Sequence, residues 1–237
     1  MEQYVESLRQ RAQEVQKRID EACHRAGRSP DEVQLIWVSK THPIESVEAA
    51  IQAGARHFGE NRVQELEEKF SQPRSGVTRH LIGPVQSNKL RKAIAHADLI
   101  HTISSLKQIE RCEQLAQEFD RRISLLFQVN TSREESKSGL SLEELEPFLQ
   151  SLPETSRVLY SGLMTIGPNT GNPEDARSGF RTLREIRDLW KGRDSRFDNF
   201  TQLSFGMSDD LEVAVEEGAT WVRIGTALFG AREYRWN

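Results

Sequence analysis

The sequence predicts an α/β fold: a single (β/α)8 TIM barrel over residues 1–237, with one extra helix at the N-terminus. Three observations predict it. Past Pro30, eight short apolar runs alternate with seven longer amphipathic stretches. Strict alternation of strand and helix favours a parallel sheet, and eight units favour a closed barrel. No linker, low-complexity tract or composition shift marks a second domain, and 237 residues is near the ~250 of a typical barrel. A doubly wound open sheet is the alternative.

The elements follow in order. Residues 2–27 read as an amphipathic helix, because Val5, Leu8, Ala12, Val15, Ile19 and Ala22 recur at three- and four-residue steps and Gly27 is a stop signal. Such a stripe packs on a core or receives a partner. The strands are Gln34–Ser39, Arg56–Gly59, Arg79–Gly83, Leu99–Thr102, Ser124–Val129, Leu159–Met164, Thr201–Phe205 and Trp221–Ile224. Helices follow the first seven, at Ile44–Ala53, Asn61–Phe70, Asn88–His96, Leu106–Phe119, Leu142–Leu149, Pro173–Trp190 and Asp209–Glu217. Pro43 suits a first helical turn, Ser141 with Glu144 fits a capping box, and Ser208 can cap the helix at Asp209. The polar loops Thr131–Gly139 and Gly167–Asn172 follow strands five and six, on the face where barrels build active sites.

Composition excludes several classes. Lys plus Arg is 32 against 36 for Asp plus Glu, a net charge of -4, which argues against a dedicated nucleic-acid binder. The scattered aromatics offer no stacking platform. No apolar run approaches the ~20 residues of a membrane span, and the charged N-terminus is no signal peptide. Cys23 and Cys112 give neither a metal spacing nor a disulfide framework and read as thiols in a reducing cytoplasm. His24, His42, His57, His96 and His101 lack metal-ligand spacing, and Glu65–Glu68 reads as a solvated helix face.

Residues with chemistry collect at the carboxyl ends of the strands. Lys40 follows the apolar run IWVS; desolvation at a barrel mouth would free its amine for carbonyl chemistry, though it could simply end a strand and snorkel to water. Asn61 can bond a ligand or cap a helix. His80 heads strand three and reads as a satisfied core histidine, while Gly83 permits a close backbone approach. Strand seven runs into LSFGMSDD, bearing Ser204, Gly206 and Ser208; strand eight runs into VRIGTALFG, bearing Arg223, Gly225 and Thr226. Glycines, hydroxyls and helix starts after strands seven and eight form phosphate sites in many barrels, although two tight turns would look alike.

These segments carry a resemblance. VSKTHP around Lys40, HFGENRVQE, HLIGPVQSNK, QVNTSREESKSG, GLMTIG and LSFGMSDDLEVAVEEGATWVRIGTALFGARE are similar to the YggS/PROSC family of pyridoxal phosphate homeostasis proteins, over almost the whole chain past residue 33. The resemblance implies a barrel like the N-terminal domain of alanine racemase (fold type III) with pyridoxal 5'-phosphate in a Schiff base on Lys40. It implies that Ser204, Gly225 and Thr226 hold the phosphate, that Arg223 lies beside the pyridine ring, and that Asn61, Met207 and His80 line the pocket. The loop Ser132–Gly139 matches too, with no role for Lys137. Phe205 stands where methionine is common and Gly167 where proline is frequent; neither touches the lysine or the phosphate hydroxyls.

The reading is therefore a cytoplasmic, monomeric protein of vitamin B6 and amino-acid/keto-acid balance, without enzymatic turnover. It would exchange cofactor with pyridoxal-phosphate-dependent apoenzymes or act beside a small regulatory protein. The racemase tyrosine from a second domain has no counterpart in a chain ending at Asn237, where Tyr4, Tyr160 and Tyr234 are the only tyrosines. The alternatives are a pyridoxal-phosphate-dependent racemase or decarboxylase, and a sugar-phosphate barrel enzyme whose lysine forms a substrate Schiff base.

Overall fold

The computed structural model describes residues 1–72, 74–132, 134 and 137–230. Eight parallel strands close on themselves in chain order. They are β1 (Gln34–Val38), β2 (His57–Glu60), β3 (Thr78–Leu81), β4 (Leu99–Ile103), β5 (Ile123–Gln128), β6 (Val158–Met164), β7 (Gln202–Ser204) and β8 (Trp221–Ile224). β8 returns to β1 with Leu35 beside Val222 and Trp37 beside Ile224. Helices α1 (Glu2–Ala26), α2 (Ile44–Ala53), α3 (Val63–Phe70), α4 (Leu90–His96), α5 (Leu106–Glu118), α6 (Leu142–Gln150), α7 (Arg177–Trp190), α8 (Leu211–Glu216) and the short α9 (Thr226–Phe229) surround them.

Period two along each strand divides the side chains between two cores. On β1, Trp37 joins the large apolar cluster between strands and helices, while Ile36 and Val38 join Ile82 and Trp221 in a small cluster of their own. α1 contributes to the large cluster through Val5, Leu8, Val15, Ile19, Ala22 and Cys23, and it packs on α2, α8 and α9. Arg18 pairs with Glu212 at 2.6 Å, and Arg28 donates to the carbonyls of Val215 and Ala219. The extra helix is thus fastened to the last repeat by both apolar and charged contacts.

The boundaries differ from the sequence expectation where local chemistry is subtle. β2 includes Glu60, because a fully buried ion pair lets a charged residue end a strand. α3 begins at Val63, so Asn61 does not cap it; Arg62 holds that position. α8 begins at Leu211 after Asp210, so Ser208 is no cap. The capping box at Ser141 and Glu144 forms, and Gly27 ends α1 in the left-handed conformation. Cys23 and Cys112 are buried free thiols. Among the described residues no helix is long and apolar enough to cross a membrane, and no three metal-ligating side chains cluster.

Candidate functional site

Lys40 stands two residues beyond β1, half-buried at the carboxyl mouth. Its neighbours are tightly held. The buried Ser39 hydroxyl donates to Glu60 Oε1 at 2.6 Å, and Lys69 Nζ donates to the Ser39 carbonyl at 2.7 Å and to Glu60 Oε1 at 2.8 Å. Thr41 N–H donates to Glu65 Oε2 at 2.8 Å. Burial pushes the Glu60 carboxyl up to about 7, against the pull of Lys69. Glu65, half-buried, therefore belongs to this cluster, whereas Glu68 of the same run is exposed. Asn61 follows β2 and is half-buried. Gly83, after β3, is obligatory there, because a Cβ would come 2.2 Å from the Asn61 carbonyl oxygen.

Three imidazoles form a continuous file that ends under the mouth. His57 Nδ1 lies 3.4 Å from His80 Nε2, His80 Nδ1 lies 3.0 Å from His101 Nε2, and His101 Nδ1 lies 2.9 Å from Ser204 Oγ. Arg223 Nη1 donates to both the carbonyl and the hydroxyl of Ser204 at 2.7 and 2.9 Å, and Nη2 donates to the Thr165 carbonyl at 3.0 Å. Arg223 can only donate. The assignment that uses every group then has Ser204 donating to His101, His101 to His80 and His80 to His57. Desolvation holds all three imidazoles below their ordinary value, His80 at about 3, so each is neutral at pH 7. Burial lowers Arg223 to about 10, opposed by Asp210, and it keeps its charge at neutral pH.

The loops after β7 and β8 are adjacent, because those strands pair. Met207 is 40% exposed and its N–H donates to Asp210 Oδ1 at 2.6 Å. Ser208 is half-buried and Thr226 exposed. Thr226 and Ala227 open α9, where N–H groups lack intrahelical partners, and neither N–H has an acceptor among the described residues. A Cβ on Gly225 would sit 3.2 Å from the Val38 carbonyl oxygen, so this turn lies close against the strand that leads to Lys40. Two cavities, of about 570 and 230 Å³, share Lys137 and Ile166; the larger also touches Met207 and Asp210. Lys137 Nζ donates to the Gly167 carbonyl at 2.9 Å. A third cavity, about 530 Å³, lies beside α1 and the start of β1, away from Lys40.

Of the residues singled out in the sequence, Lys40, Asn61, Met207, Gly225 and Thr226 stand at the carboxyl ends of their strands. Arg223 and Ser204 meet one layer below. His80 does not reach the mouth: it is fully buried, with both ring nitrogens on other histidines, which matches the core role. Ser204 is equally buried, and its hydroxyl accepts from Arg223 and lies 2.9 Å from His101 Nδ1. Ser208, at the exposed turn, is the hydroxyl of that loop nearer solvent. The roles of His57 and His101 were missed in the sequence. Tyr160 donates to the Pro153 carbonyl, away from the mouth, whereas Arg133, Glu135, Ser136 and Tyr234 lie outside the described residues.

The class defined here is a (β/α)8 barrel with a lysine just after β1, a donor-rich turn just after β8 and a buried guanidinium on β8. Residues 5–233 match the family described as alanine racemase, N-terminal domain. An Escherichia coli K12 protein named pyridoxal phosphate homeostasis protein is 41% identical over 226 residues, covering 93% of this chain and 95% of that one. PipY of Synechococcus elongatus PCC7942, solved with pyridoxal phosphate bound, superposes with a TM-score of 0.77 at 38% identity, covering 91% of this chain and all of that one. Alanine racemase from Clostridium difficile 630 shares the fold at 12% identity and a TM-score of 0.71, with 57% of its length covered. The chain belongs to the family of pyridoxal phosphate homeostasis proteins.

Proposed function

We propose that this protein binds pyridoxal 5'-phosphate covalently on Lys40 and serves vitamin B6 homeostasis without amino-acid turnover. The observation that carries the reading is Lys40 just after β1 together with the donor-rich start of α9 just after β8, the strand that pairs with β1. That donor set fits the cofactor: an amine for the aldehyde, unpartnered N–H groups with a hydroxyl for the phosphate, and Met207 and Ile166 as apolar rim. The cofactor supplies an aldehyde for a Schiff base and an electron-accepting ring.

The chain's own residues do the rest. Thr226, with the N–H groups of Thr226 and Ala227, binds the phosphate, and Ser208 completes the anion site. Gly225 lets that turn approach β1. Arg223, fixed by Ser204 and Thr165, would face the ring nitrogen as a donor and would leave it unprotonated, a poorer electron acceptor. Asn61 and Met207 would flank the ring. Such a site holds an aldehyde well and stabilises a carbanion badly, which suits storage and delivery more than racemisation. The recipients are pyridoxal-phosphate-dependent apoenzymes or a small regulatory protein, and the protein acts as a cytoplasmic monomer.

The test is an absorbance spectrum of the loaded protein before and after borohydride, followed by peptide mapping. The expected result is imine absorbance that borohydride removes, with the label on the Lys40 peptide and neither signal in Lys40→Ala. A label on another lysine would overturn the assignment.

A further inference from the structure

Thr41, next to Lys40, has a φ of 67°, a left-handed conformation that is a true outlier for a β-branched residue. Such a conformation persists only where the surroundings over-determine it. Here they do. Glu65 Oε2 accepts from Thr41 N–H at 2.8 Å and from Lys69 Nζ at 3.3 Å. Lys69, only 5% exposed, also grips the Ser39 carbonyl, and Glu60 takes the Ser39 hydroxyl. The residues on both sides of Lys40 are therefore tied to one cluster of two carboxylates and one ammonium, supplied by β2 and α3. Two more backbone bonds close the turn, Ser39 N–H to the Gly59 carbonyl and His42 N–H to the Ser39 carbonyl. Glu60 Oε2 is buried without a hydrogen-bond partner, a cost the fold would not carry for a plain surface ion pair.

We propose that Glu60, Glu65 and Lys69 are positioning residues for Lys40, clamping the Ser39–Thr41 turn so that the lysine amine meets the carbonyl of the bound cofactor. The inference rests on Lys40 being the anchoring lysine. An amine held in the attack geometry reacts faster than one that samples several turns, and small misplacements are costly in rate. None of the three need touch the cofactor. Their chemistry is exerted through the backbone: Glu65 holds the left-handed residue, Lys69 pairs with both carboxylates and fixes the carbonyl before Lys40, and Glu60 fixes the hydroxyl of the same residue.

The experiment measures the rate of imine absorbance on mixing cofactor-free protein with pyridoxal phosphate, and the affinity for pyridoxine phosphate, which has no aldehyde. Glu65→Ala and Lys69→Met should slow imine formation about tenfold while leaving pyridoxine phosphate affinity within about twofold of wild type. Glu65→Gln, which keeps an acceptor for Thr41, should recover most of the rate. Thr41→Gly in the Glu65→Ala background should also recover it, because glycine adopts the left-handed conformation without help; a role confined to the stability of α3 would not be rescued that way. Wild-type rates in both Glu65→Ala and Lys69→Met, or equal losses for the two ligands, would overturn the clamp. Wild-type protein labelled on a lysine other than Lys40 would instead overturn the anchoring assignment, and the clamp with it.

Discussion

The buried imidazole file makes the cofactor-free protein acid-sensitive in a way that one substitution can isolate. His80 titrates at about 3 in the folded chain, against an ordinary value of 6.5, and His101 lies well below 6.5; both are fully buried and desolvation is the main cause. A histidine depressed by folding contributes stability above pH 6.5, and that contribution is lost as pH falls toward the folded value, because the unfolded chain binds the proton first. At pH 5 the loss is about 1.5 units times 1.36, roughly 2 kcal/mol for His80, and His101 adds to it in the same direction. Glu60 runs the other way. Its carboxyl is raised to about 7 from 4.5, so its contribution is present at low pH and lost as pH rises through 7. The informative quantity is therefore the difference between wild type and His80→Asn, measured by urea unfolding at pH 7.5, 6.5, 5.5 and 5.0. At pH 7.5 the variant should be less stable by about 2–3 kcal/mol, from a lost hydrogen bond on each side and a smaller side chain. By pH 5 the gap should close by about 2 kcal/mol, because the variant has one fewer proton to take up on unfolding. A gap that stays constant across this range would refute the neutral, buried file.

Other expectations test the mouth. Thr226→Ala should weaken pyridoxal phosphate about tenfold or more through the lost charged hydrogen bond, with little change for unphosphorylated pyridoxal. Ser204→Ala should instead weaken both ligands by the same factor and lower thermal stability, because its hydroxyl supports Arg223 and His101; a loss confined to the phosphorylated ligand would return that hydroxyl to the phosphate. Arg223→Glu should shift the absorbance of the bound cofactor or weaken binding, and an unchanged spectrum and affinity would remove Arg223 from the ring. Protein saturated with pyridoxal phosphate and offered a panel of amino acids should show no racemisation, transamination or decarboxylation near ~1 per second; turnover at that rate that disappears in Lys40→Ala would establish an enzyme.

The strands were legible because each is a short apolar run bounded by turn residues. β1, β4 and β8 fall within a residue of their expected ends, and β7, expected at Thr201–Phe205, is shorter by one residue at each end. The register was not legible. Ser204 closes β7 and Ser208 lies four residues beyond it, and only the pleat decides that Ser204 is buried in the barrel. Glu60 and Lys69 look like ordinary surface charges in the sequence, and their burial depends on α3 folding back over the end of β2. The histidine file left a signal that was read past. His57, His80 and His101 recur at 23 and 21 residues, one β/α unit each, on three consecutive strands. A polar residue repeating with the period of the fold, not of a helix or a strand, is a candidate for the barrel interior.

That interior has a consequence for how the molecule is held together. His80, His101, Ser204 and Arg223 are all buried polar groups within the ring of strands, beside a small apolar cluster of Ile36, Val38, Ile82 and Trp221. Polar groups that are fully satisfied specify one arrangement but add little net stability, and the charge on Arg223 has to be taken out of water. The stabilising area must then come from the outer shell, where Leu8 and Ile19 of α1 share one continuous apolar cluster with Phe58, Phe127 and Leu228. The N-terminal helix covers the last repeat, α8 and α9, whose first turn is the proposed phosphate cradle. Arg11 also donates to the Leu228 carbonyl at 3.0 Å, which fixes the far end of α9. A helix at the opposite end of the sequence from α9 therefore bears on the proposed anion site through the position of α9, and the same shell that compensates for a polar barrel interior also sets the geometry of its mouth.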